Sequence, residues 1–207
     1  MCGTDAFSYL TYNLNRVEAF YTEICEVENG LKPTIKQLSR DLAVVQLVAI
    51  ADAYRASLMT LLLEQSDVLL RNSQEAISYQ EILDLGSWGD LRSELVRRQV
   101  DDWMSPGYGN WINRLGEKCL PSLNVSAQDW NHLEEIIATR NVLIHNKGCV
   151  DEEYLRRTKH WYGMRHLPQP KLGETRQIDT EYFTQAIKCI KQVILLIEKE
   201  AATFLSG

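Results

Sequence analysis

The sequence predicts an all-α fold, a helical bundle of four or five principal helices. Three observations predict it: apolar residues recur at three-four spacing over long segments, helix start and stop signals bracket those segments, and no segment alternates convincingly in the manner of a strand. A chain of 207 residues that is 45% hydrophobic and 24% charged can bury one substantial core. It reads as a single domain, with 1–33 an N-terminal helix and loop and 34–205 the core of the bundle. There are no internal repeats or low-complexity tracts.

Phe7, Leu10, Leu14, Val17, Tyr21 and Ile24 form one amphipathic stripe, which predicts a first helix ending near Asn29-Gly30. After Lys32-Pro33, the Thr34-Ile35-Lys36-Gln37 sequence has capping-box form and opens a long helix to about Arg71. The middle of that helix is apolar almost all round, so it is expected to be central and the most buried. Gly86, Gly89, Pro106, Gly107, Gly109 and Pro121 then break the periodicity, leaving helices near 90–104 and 108–118.

Ser126-Ala127-Gln128-Asp129 is a second capping box, and Val125 with Trp130 has the spacing of a hydrophobic staple. The helix it opens should run to about His145 and stop near Gly148, a natural left-handed cap. A short helix at Asp151–Thr158 is expected next, then a basic loop containing Pro168 and Pro170, with a short hairpin around 162–178 left open. The last helix starts near Asp179 and carries Phe183, Ile187, Ile190, Ile194, Ile197 and Ala201 as an unbroken stripe.

No apolar run approaches the roughly 20 residues of a membrane span, and the start lacks the basic and apolar parts of a signal peptide, so the expectation is a soluble cytoplasmic protein with no membrane partner. Cys2, Cys25, Cys119, Cys149 and Cys189 are far apart and never form CxxC, which argues for reduced, mostly buried thiols, with Cys149 the one placed for exposure. The four histidines are scattered and no metal or other cofactor is implied.

A net charge of −6 argues against a generally basic, nucleic-acid-coating surface. A local exception lies at 154–177, where six Lys/Arg surround Trp161 and Tyr162 and Glu174 is the one acid. The segment reads either as a solvated loop or as a single-stranded RNA interface, in which Arg156, Arg157, Lys159 and Trp161, with Lys147 nearby, would hold phosphates and stack on bases.

The candidate site is Arg140-Asn141-Val142-Leu143-Ile144-His145-Asn146-Lys147-Gly148. Leu133, Ile137 and Ile144 define an apolar stripe, and Arg140 falls on it with Asn141 alongside. An unpaired buried guanidinium would cost on the order of several kcal/mol, so either an internal acid such as Asp52 satisfies Arg140 or its face lines a cleft that receives an anion. Arg140 and His145 are five residues apart, about 140° around an ideal helix, so they converge only through a distorted last turn or through a symmetric second copy. By residue type, Arg140 can bind phosphate bidentately, His145 can move a proton to or from a ribose 2′-hydroxyl, and Asn141 can orient the imidazole or the substrate.

With the tail Val150-Asp151-Glu152-Glu153-Tyr154-Leu155, this stretch resembles the signature of the HEPN superfamily. It is most similar to the RiboL-PSP-HEPN-type group: an Arg-x4-His core, a following Asn-x-Gly, and a Val-Asp-x-x-Tyr tail. The resemblance extends from about 34 to 205, through Leu47-Val48-Ala49-Ile50-Ala51-Asp52-Ala53-Tyr54 and the final helix. It implies a homodimeric bundle with two motifs across a shared cleft, acting as a metal-independent endoribonuclease in toxin–antitoxin or phage-defence systems, with an antitoxin as a further partner. Arg140 and His145 would be catalytic and Asn141 the polar helper. The His-x-Tyr extension of one toxin branch is absent, because Lys147 stands there, so that branch's control by modification does not carry over. The superfamily also holds non-catalytic dimerisation, regulatory and nucleotide-binding modules, which is the competing expectation.

Overall fold

A computed structural model describes residues 3–27, 32–71, 77–105 and 107–206, and the expected stop at Asn29-Gly30 lies outside them. The described residues are 81% helical and contain no strand, which makes the fold all-α. Nine helices are present among them: α1 Gly3–Val27, α2 Pro33–Gln65, α3 Asp67–Arg71, α4 Tyr79–Leu85, α5 Trp88–Met104, α6 Tyr108–Lys118, α7 Ala127–His145, α8 Glu152–Arg165 and α9 Thr180–Ser206. In place of the hairpin left open at 162–178 there is one isolated antiparallel bridge, Cys149 to Thr175.

The chain divides into two compact units. One comprises Met1–Ala6, Ala53–Leu123 and Ile197–Gly207. Within it the Arg55 guanidinium lies 4.0 Å from the Tyr108 ring centroid and 4.9 Å from that of Trp111, and the Tyr54 hydroxyl donates to Glu198 Oε1 at 2.6 Å. The other comprises Phe7–Asp52 and Asn124–Leu196 and contains the whole candidate motif. Its core includes Leu10, Leu14 and Val17 of α1, the stacked pair Tyr21 and Phe183 with centroids 3.9 Å apart, and the cluster Ala138, Val142, Val150, Tyr154, Trp161 and Tyr162.

Several expectations are corrected. The long helix begins on Pro33, a residue suited to a first helical position, rather than behind a Thr34 cap. It breaks at Ser66, so the stretch to Arg71 is a separate short helix. One face of it is buried from Ala43 to Leu63, while Gln46, Ala49, Ala53 and Ser57 are exposed, and Ile35, Leu38 and Leu42 are about half exposed, so it is not apolar core all round. An 18-residue window of α2 reaches a mean hydropathy of 1.4, long and apolar enough to cross a membrane by length and composition alone; 56% of that window is buried inside the protein, as a core helix requires. The expected basic loop after Thr158 is instead helical to Arg165. Cys119 and Cys189 are buried free thiols and Cys149 is exposed.

Candidate functional site on helix α7

Helix α7 starts where its cap dictates. Ser126 Oγ accepts from the Asp129 backbone N–H at 3.1 Å and donates to the Asp129 carboxylate at 2.7 Å, and the Asp129 charge sits in the first turn, where the helix dipole favours it. The helix buries His132, Leu133, Glu135, Ile136, Ile137, Ala138, Thr139 and Val142. Arg140 lies at the edge of that face, and the stripe that carries it leaves the core: Leu133 and Ile137 are 3% and 5% exposed, Ile144 48%.

Arg140 is paired internally, through one guanidinium nitrogen, while its buried Nε has no hydrogen-bond partner among the described residues. Its Nη2 donates to Asp52 Oδ2 at 3.0 Å, with 23% of the arginine side chain and 33% of the aspartate side chain exposed. Of the two explanations open for a charge on this stripe, the internal acid is present, and the pair remains in touch with solvent. Asn141, the next residue, is half-buried.

His145 is exposed and is the last helical residue. The next N–H, that of Asn146, still donates to the Val142 carbonyl at 3.0 Å, so the helix is regular through His145. The chain turns only afterwards, through left-handed Lys147 (φ 53°) and Gly148 (φ 79°), and the Gly148 N–H returns to the same Val142 carbonyl at 2.8 Å. A distorted last turn therefore does not bring His145 toward Arg140 within one chain. The Asn146 amide donates to Asp151, which also caps α8 by accepting from the Tyr154 N–H at 2.7 Å.

The expected RNA contacts are dispersed. Lys147 and Lys159 are exposed. Arg156 is exposed but held in a two-bond pair with Glu153, and Arg157, 18% exposed, is held by Glu134 at 2.6 and 3.1 Å. Trp161 is corrected outright as a stacking platform for bases. It is 6% exposed, His132 stacks on it at 4.1 Å, and the Arg165 guanidinium covers it at 5.0 Å. Burial depresses the His132 imidazole below its ordinary value, which favours its neutral form in the stack.

The residue that sequence reasoning missed is Glu135. It is 0% exposed and accepts from Tyr154 Oη at 2.8 Å, Thr139 Oγ1 at 2.9 Å, Tyr182 Oη at 2.9 Å and Arg176 Nη2 at 3.0 Å. Burial, and after it the Glu135 charge, raises all three neighbouring tyrosines, Tyr154, Tyr162 and Tyr182, so they serve as hydrogen-bond donors. Burial works against the Arg176 charge, but Glu135 together with Tyr182, Tyr154 and Tyr162 outweighs it and holds the guanidinium protonated. The available signal was an acid in register with Ala138 and Val142, three and seven residues on.

No protein-family model, no curated protein and no solved structure matches this chain. The chemistry on α7 therefore stands on its own geometry. It comprises a solvent-touching guanidinium at the helix edge, an exposed imidazole at the helix end, and a buried, hydrogen-bonded carboxylate five residues before the guanidinium.

Proposed function

We propose that this chain is a metal-independent endoribonuclease of the HEPN type that acts as a homodimer. The observation that carries the reading is the exposed imidazole of His145 at the end of a regular helix, five residues after an arginine that keeps part of its guanidinium in solvent. Regularity fixes the two side chains about 140° apart, so the reading requires two copies, each presenting its motif to one cleft.

In that cleft Arg140, exchanging part of its Asp52 contact for a phosphate oxygen, neutralises charge on the phosphorane. One His145 takes the proton from the ribose 2′-hydroxyl as the 2′-oxygen attacks phosphorus. The second copy's His145, entering protonated, gives its proton to the departing 5′-oxygen. The products are a 2′,3′-cyclic phosphate and a 5′-hydroxyl, and the two histidines have exchanged protonation states. Asn141 is positioned by its place beside Arg140 to orient substrate, and Lys147 and Lys159 are the basic side chains left open for the RNA backbone. A toxin–antitoxin or defence role, with an antitoxin covering the cleft, is part of the same proposal.

A second reading is favoured by the Arg140–Asp52 pair: a non-catalytic dimerisation, regulatory or nucleotide-binding module in which Arg140 is structural. Incubating the protein with single-stranded RNA in EDTA separates the two. The nuclease reading expects cyclic-phosphate ends from the wild type and none from a folded His145→Ala variant. Equal cutting by both proteins, or intact RNA with nucleotide-dependent thermal stabilisation, sinks it.

A further inference from the structure

Arg176 is held at two points, one on the motif helix and one on the turn that follows it. It lies in the segment after α8, and its backbone N–H donates to the Gly148 carbonyl at 2.8 Å, three residues past His145. Its Nη2 donates to Glu135 Oε1 at 3.0 Å, ten residues before His145, which is about 15 Å along the helix axis. The neighbouring backbone bonds tighten the first grip: Val150 N–H to Glu174 carbonyl at 2.9 Å, and Gly173 N–H to Val150 carbonyl at 2.8 Å.

These bonds close a ring. From Glu135 the chain runs down α7 to His145, turns at Gly148, crosses to Arg176, and returns through the guanidinium to Glu135. A lone clasp at 148–150 would hold the turn to a segment that could itself shift. Because Arg176 ties that segment to the middle of the same helix, the turn after His145 is referenced to the helix that carries it. The anchor is rigid as well, since Glu135 is fully buried and is also held by Tyr154, Tyr182 and Thr139.

We infer that Arg176 is a positioning residue for His145, a strut that uses buried Glu135 as its anchor to fix the helix end on which the imidazole stands, a role that rests on the nuclease reading above. Glu135 keeps three donors when the guanidinium is removed, so Arg176→Gln should leave the fold standing. In Arg176→Gln, kcat for RNA cleavage should fall about tenfold while KM stays within about twofold, because binding groups are untouched and proton-transfer geometry is not. The His145 Cε1–Hε1 cross-peak should move in the same variant. Tyr182→Phe, which removes an anchor bond but not the strut, should leave both readouts at wild-type values.

If Arg176→Gln does not fold, Arg176→Lys, which keeps the charge and loses the reach, is read the same way. A folded Arg176 variant with wild-type kcat and an unmoved His145 cross-peak overturns the proposal. A wild type that cuts no RNA overturns the nuclease reading alone. The cross-peak still decides the strut: it moves if Arg176 positions the helix end and stays if it does not.

Discussion

Replacing Arg140 by Gln, Asp52 by Asn, and both together forms a cycle that isolates what their ion pair contributes. Exposed pairs contribute about 0.2–1 kcal/mol, whereas breaking a fully buried pair costs about 3–5 kcal/mol. The Arg140–Asp52 pair makes a 3.0 Å contact through one guanidinium nitrogen, and its side chains are 23% and 33% exposed, which places it nearer the exposed limit. The expected coupling is about 1 kcal/mol, with each single variant losing about 1–1.5 kcal/mol. For a chain of 207 residues that corresponds to a fall in Tm of about 2–6 °C. Far-UV CD melts and urea titrations of the four proteins measure it, and the coupling should shrink at high salt because the pair is in contact with solvent. A coupling above about 3 kcal/mol that ignores salt would show that Arg140 is a sealed structural cation, against the exposure argued here.

Other outcomes follow from the same geometry. Trp161→Ala should cost about 3–5 kcal/mol of stability, and stability-matched controls should show no separate loss of RNA affinity; weakened binding by a stable variant would restore Trp161 as a base platform. Burial raises the Cys119 thiol to about 11 and the Cys189 thiol to about 12, so among the described cysteines iodoacetamide should label Cys149 first in the native protein, as peptide mapping would show. Since His132 is depressed, its contribution to stability is complete above the unfolded value of about 6.5 and is lost as pH falls through the folded value. His132→Phe, which keeps the stack on Trp161, should therefore flatten the decline in Tm as pH falls below about 6.5, and an equally steep decline in the variant would refute it.

The helices that sequence located best are those whose start signals and buried stripes agree. Ser126 caps α7 as its spacing with Asp129 requires, α5 and α6 fall within a few residues of 90–104 and 108–118, and the Phe183–Ala201 stripe of α9 is buried along its length. Helix α4 is not legible although Ser78 and Glu81 form a full capping box, because it is only seven residues long, too short for its Tyr79, Ile82 and Leu83 to establish a period, and none of them is buried. Helix α8 was cut short for the opposite reason. Tyr154, Thr158, Trp161 and Tyr162 are buried at helical spacing, but the basic residues between them gave the segment the composition of a loop. Asp52 was legible as a partner for Arg140 since both interrupt apolar stripes. Arg176 was not: it reaches Glu135 across 41 residues from an irregular segment, a pairing no local period encodes.

The spacing on α7 carries a consequence for any chemistry there. Glu135, Arg140 and His145 stand five residues apart in succession, and each step turns about 140° about the axis, so three polar groups point in three directions. The environments obey that rotation: Glu135 is sealed inside, Arg140 stands at the edge, and His145 faces solvent. Had the spacing been four, the three would form a single ridge, and one chain could have assembled a site on it. With five, the inward group is used up in anchoring the helix, and the other two diverge. Bringing a guanidinium and an imidazole onto one phosphate then calls for a surface from outside the chain, and in the proposed homodimer a second α7 related by a two-fold axis would supply both partners at once. An RNA-cleaving protein of this sequence that is strictly monomeric at its working concentration would contradict that geometry, and sedimentation of the active species is the measurement that decides it.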